Sequence, residues 1–213
     1  MKKNVGRLVV VLVLASLFAV VPVRPSAAEE MKGKWGYGIR AGLSSLTQDV
    51  NSITVGKLGP IVSGNVLYSL SDQAFVGLNV EWEQHSVEFQ SGDLNLGKES
   101  TLSILPFIEV RMPVPSWVQP YLSLGLGVNI NSFSESGDIG PFNFNPENTF
   151  ALKMGLGADF PVSPALAING EIGWKYNSGN SDFSAEGGID LGFLDNNMSA
   201  VSFLIGFRFY PGR

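Results

Sequence analysis

The stretch Tyr121-Leu122-Ser123-Leu124-Gly125-Leu126-Gly127-Val128-Asn129-Ile130-Asn131 decides how this chain folds. Leu122, Leu124, Leu126, Val128 and Ile130 fall on one side of a two-residue period. Ser123, Gly125, Gly127, Asn129 and Asn131 fall on the other. Successive strand side chains point to opposite faces, so the run reads as a β-strand with one apolar and one polar side.

The same alternation returns seven times. It starts at Trp35, Tyr37, Ile39, Ala41 and Leu43, and recurs through Val62 to Leu70, Val76 to Trp82, Leu102 to Met112, Phe150 to Phe160, Leu166 to Tyr176 and Val201 to Phe209. Each run is about the 9–11 residues a tilted membrane strand needs. Four connections are long (47–59, 90–99, 132–149 and 177–198) and three are short (71–74, 113–119 and 161–165). Short turns at one end and long loops at the other are the pattern of outer-membrane barrels. The expected fold is all-β: an eight-stranded antiparallel up-and-down transmembrane β-barrel. With the N-terminus in the periplasm, every long loop lies outside the cell.

Composition agrees. Apolar residues make up 45% of the 213 residues and charged residues only 15%, against about 25% charged in ordinary soluble domains. Such a chain shows apolar surface to something other than water. There is no cysteine, which removes disulfides and thiolate metal sites.

Residues 1–28 read as a signal peptide, leaving 29–213 as the barrel domain. Lys2, Lys3 and Arg7 precede an apolar run from Leu8 to Val21, and Ser26-Ala27-Ala28 supplies small residues for cleavage. Four of the 14 bases lie in this leader and all 19 acids lie beyond it. The remainder therefore carries ten bases against nineteen acids, about −9, which argues against nucleic acid as a partner.

The polar faces decide which side looks outward. They carry Arg40, Arg111, Lys153, Lys175 and Arg208 with Glu81, Glu83, Glu109, Asp159 and Glu171, among many Gly, Ser and Asn. Eight strands leave an interior just wide enough for side chains to fill. Five bases and five acids there form a lumen charge network, because an unpaired charge in a confined space is costly. The apolar face then meets lipid. Trp35, Tyr37, Tyr68, Trp117, Tyr121, Phe209 and Tyr210 near one end, and Trp82, Trp174 and Tyr176 near the other, read as two interfacial girdles.

Gln119-Pro120-Tyr121 with Gly125 and Gly127, and Ala151 to Phe160 leading through Pro161-Val162-Ser163-Pro164 into the next strand, resemble the small outer-membrane β-barrel proteins of the W, A and X types. The resemblance spans roughly Trp35 to Tyr210 and implies a porin-like barrel in the bacterial outer membrane. Its partners would be outer-membrane lipid and lipopolysaccharide. The final strand, Phe203 to Phe209, resembles the insertion signal read by the barrel-assembly machinery, although Tyr210, Pro211, Gly212 and Arg213 follow where such chains usually end. The W type has a lumen path for small apolar molecules, whereas this lumen is charged in its middle.

Other chemistry is thinly represented. Some outer-membrane lipid A deacylases use His, Ser and an acid. His85 and Ser86 are adjacent in a strand and so point to opposite faces, which keeps base from nucleophile. The cluster Glu81, Glu83 and Glu109 reads as a salt-bridged plug before it reads as paired catalytic carboxylates. Neither catalytic residues nor cofactors are expected, and no calcium-loop spacing points to a metal. The long loops carry Phe142, Phe144, Phe183 and Phe193, candidate contacts for a small apolar ligand. Two functions remain open: a porin-like barrel that passes or binds small apolar molecules, and a structural or surface-interaction barrel.

Overall fold

The computed structural model describes residues 31–47, 54–56, 58–89, 95–114, 117–135, 142–178, 180–185, 189–195 and 198–211. The segment expected to be a signal peptide lies outside them. Eight long strands build the barrel: β1 (Trp35–Leu46), β3 (Gly59–Ser69), β4 (Ala74–Phe89), β5 (Asn95–Arg111), β6 (Gln119–Glu135), β8 (Thr149–Ser163), β9 (Leu166–Ser178) and β12 (Met198–Phe209). Each pairs antiparallel with its neighbours, and β1 closes the sheet by pairing with β12 on one side and β3 on the other. Closure satisfies every strand edge, a requirement for backbone in hydrocarbon.

The faces follow the alternation. On β1, Ile39 is 65% exposed while its neighbour Arg40 is 3% exposed. Leu122, Leu124, Leu126, Val128 and Ile130 all stand outward. The apolar side therefore faces lipid, and the polar side faces the lumen.

The strands run further than the sequence periodicity indicates. β5 and β6 each have 17 residues and β4 has 16. Their extra length lies at the loop end, past Trp82 in β4 and inside segments read from sequence as the loops 90–99 and 132–149 in β5 and β6. Beyond the bilayer the outer face meets water, so the alternation loses its apolar half while the hydrogen-bond ladder continues. Four further strands stand within the long connections: β2 (Thr54–Gly56), β7 (Phe142–Pro146), β10 (Asn180–Ala185) and β11 (Ile189–Asp195). β2 adds to β4, and β7, β10 and β11 form a separate three-stranded sheet.

The short turns and both ends of the described chain share the opposite end. Residues 31–34 turn beneath the mouth. Asp72 Oδ1 accepts from the Met31 backbone N–H at 2.8 Å, and Gly33 takes a φ of 79°, a left-handed conformation suited to glycine. Met31, Leu67, Phe75, Ala167 and Tyr210 pack into one apolar cluster there.

Candidate functional site: the charged lumen

All ten lumen residues singled out above are at most 5% exposed, and each has an ion-pair partner. The register sorts them into three groups along the axis.

Nearest the turns stand Glu109 and Arg111 from the end of β5, Asp159 from β8 and Arg208 from β12. Arg208 pairs with Glu109 at 2.8 Å and Asp159 at 3.3 Å. Arg111 pairs with the same two acids at 3.0 and 2.9 Å. Two guanidiniums and two carboxylates thus form a closed neutral square. Arg111 also lies 4.1 Å from the centre of the Phe75 ring, and Arg208 lies 4.5 Å from that of Tyr121.

In the middle, Arg40 from β1 pairs with Glu171 from β9 at 2.6 Å. Lys153 from β8 pairs with Glu81 from β4 and with Glu171 at 3.1 Å. Arg40 also donates to Ser63 and Asn79. Toward the loops, Lys175 pairs with Glu83 at 2.5 Å, and His85 Nε2 stands 3.7 Å from Glu83. Lys175 further donates to Ser103.

Each inward position comes from the parity of its strand, and all but the Glu109–Arg111 and Glu83–His85 contacts join residues distant in the chain. Charged side chains reach across the lumen from β1, β4, β5, β8, β9 and β12. The cavity lined by Arg40, Asn79, Lys153, Glu171 and Arg208, with Leu105 and Phe107, measures about 20 Å³, the scale of roughly one water. Among the described residues, this cavity is too small for a hydrated solute.

Two site residues were misplaced by sequence reading. Tyr121 and Tyr210, read as girdle aromatics, are both fully buried in the lumen. Tyr121 OH lies 3.1 Å from Glu171 and so links the turn-end and middle groups. Tyr210 OH donates to Asp159 at 2.8 Å and also contacts Arg111. Parity could have found both, since Tyr121 shares phase with Ser123 and Tyr210 follows outward-facing Phe209. Asn169, on the polar face by its sequence phase but outside the expected charge network, joins it. It donates to Asp159 at 2.6 Å and to Tyr121 OH at 3.0 Å. The lumen is less uniformly polar than expected, because Ile61, Leu67, Leu105 and Leu204 are buried in it.

His85 faces the lumen at 3% exposure, while Ser86 is half-buried on the opposite side of β4. The side chains of Phe142, Phe144, Phe183 and Phe193 lie outside the described ones. Their backbone positions are placed: Phe144 pairs in register with Phe183, and Phe193 with Asp182.

A closed eight-stranded barrel, apolar outside and charged within, is the architecture of a small outer-membrane protein, and the family of outer membrane protein beta-barrel domains matches residues 11–209. The chain belongs to that family. Its place is accordingly the bacterial outer membrane. The outer membrane protein OprG from Pseudomonas aeruginosa superposes with a TM-score of 0.60 at 16% identity, over 87% of this chain and 99% of that one. AlkL, solved by solid-state NMR in DMPC bilayers, gives 0.58 at 12% identity, over 90% and 96%. Neisserial surface protein A gives 0.54 at 13% identity, over 82% and 96%. At such identities the likeness is one of fold. No curated protein matches the chain by sequence.

Proposed function

We propose that the charged lumen is a permanent plug, and that this family member works at its loop end as a surface-interaction and envelope-stabilising barrel rather than as an open diffusion pore. The observation that supports this reading is the stack of buried ion pairs, in which charges from six strands meet across the axis. Removing one partner of such a pair leaves a buried uncompensated charge, which costs about 3–5 kcal/mol, so the stack resists opening by thermal fluctuation. In outer-membrane barrels the long loops are extracellular. Here the loop-end extensions of β4, β5 and β6 and the sheet of β7, β10 and β11 would stand beyond the lipid. Lipid and lipopolysaccharide would surround the wall, and the last strand, β12, would be the one read by the barrel-assembly machinery. No residue is assigned a catalytic role.

Liposome swelling tests the reading. Purified protein reconstituted into liposomes should admit sugars and amino acids no faster than empty liposomes. Robust solute uptake would overturn it.

A second reading keeps the porin-like role in a restricted form: binding or passage of small apolar molecules from the loop end, without transit through the charged stack. The register of Phe144 against Phe183, one strand from Phe193, favours it. Uptake of an apolar fluorescent probe into proteoliposomes that stay closed to sugars would select this second reading.

A further inference from the structure

The lipid-facing wall carries a feature that the lumen reading does not use. Ile108, Leu124, Met154 and Trp174 are register partners on β5, β6, β8 and β9, and form one outward row across four strands. Two residues away, Leu122, Leu156 and Ile172 are likewise partners and form a second row. Between the rows run Ser123, Gly155 and Gly173, whose backbone is the floor. The rows enclose an outward-facing groove of about 460 Å³ that continues to Val201 on β12. Crossing five strands at a spacing of ~4.8 Å makes it roughly 19 Å long.

The two glycines let the wall sit close to the lumen plug. A Cβ on Gly173 would stand 2.8 Å from Ser202 Oγ and 2.9 Å from Lys153 Cε. One on Gly155 would stand 3.0 Å from Glu171 Cδ and would collide with Ser123 Oγ. Any larger residue would force the sheet or the middle charge group to shift. Met154 and Leu156, each about half exposed, project on either side of Gly155.

We infer that this groove holds one acyl chain of a membrane phospholipid, more persistently than the rest of the barrel wall holds lipid. No charged side chain lines it, and its length suits a single extended hydrocarbon chain. A stable interface between copies needs roughly 800 Å² from each partner. A furrow one residue-row wide, with raised walls, does not present such a face.

The test is native mass spectrometry of the full barrel, extracted in mild detergent and titrated with dimyristoylphosphatidylethanolamine. One phospholipid per barrel should survive delipidation. Leu156→Trp and Leu122→Trp, which fill the groove from outside, should each weaken retention about tenfold, the effect of losing a few buried methylenes. Ile39→Trp, outward on the far wall, should leave it unchanged. Each variant is first checked for the gel migration of a folded barrel, and either filling variant suffices if the other fails to fold. Equal loss in Ile39→Trp, no retained phospholipid in the wild type, or a mass shift to dimer in place of lipid would each overturn the inference.

Discussion

The two ends of the lumen solve the same problem differently. At the turn end, Arg111 and Arg208 each contact both Glu109 and Asp159, and aromatic rings from Phe75, Tyr121 and Tyr210 stand against the guanidiniums. At the loop end, Lys175 with Glu83, beside His85 and Glu99, makes a sparser group. Glu99 is buried although it stands beyond Leu102, the last lipid-facing apolar residue of β5 among the described side chains. Burial pushes its carboxyl up to about 7, with His85 pulling the other way. The contrast teaches where rigidity resides. A redundant charge square under an aromatic cap is a fixed stopper, whereas a chain of single pairs near water can respond to conditions.

The largest expected effect is at the square. Arg208→Met leaves Glu109 and Asp159 sharing one guanidinium and should cost about 3–5 kcal/mol in urea unfolding from lipid vesicles. Lys175→Met at the loop end should cost clearly less. Equal losses would erase the distinction between the two ends. Tyr210→Phe removes the hydroxyl that donates to Asp159 and should cost roughly 1 kcal/mol in the same assay. No measurable loss would show that the cap acts through its ring alone.

The smallest effect is local and depends on pH. Because the folded-state value of Glu99 is raised above its ordinary 4.5, its contribution to stability is fully present below that value and is lost as pH rises through about 7. Amide exchange in the β4–β5 hairpin should therefore quicken between about pH 5 and about pH 8 beyond its intrinsic pH dependence, by an amount that Glu99→Gln abolishes. The same excess in Glu99→Gln would place the switch on another group.

Much of this was legible in the sequence, because a barrel wall between lipid and a packed lumen writes its two environments into alternate residues. Leu122 to Asn131 carries that signature without interruption, and Val201 to Phe209 carries it with Leu204 as its one break. Parity also places Arg40, Glu81 and Lys153 on the lumen side. What parity does not contain is register. That Arg208 meets Glu109 across 99 residues follows from strand stagger and closure, which no local pattern records. The strand extensions past Trp82 and Ile130 were illegible for a different reason: with water on the outer face, the alternation has no apolar half. Tyr121 and Tyr210 were misread because aromatic residues near a strand end suit both a girdle and a buried cap, and only their phase separates the two.

Single-channel recording in planar bilayers bears most directly on the claim that buried ion pairs close this barrel. Wild-type protein should show near-zero conductance, and Glu109→Ala and Arg111→Ala, which open the turn-end square, should each raise it. A conducting wild type, or conductance that stays near zero in both variants, would contradict the claim.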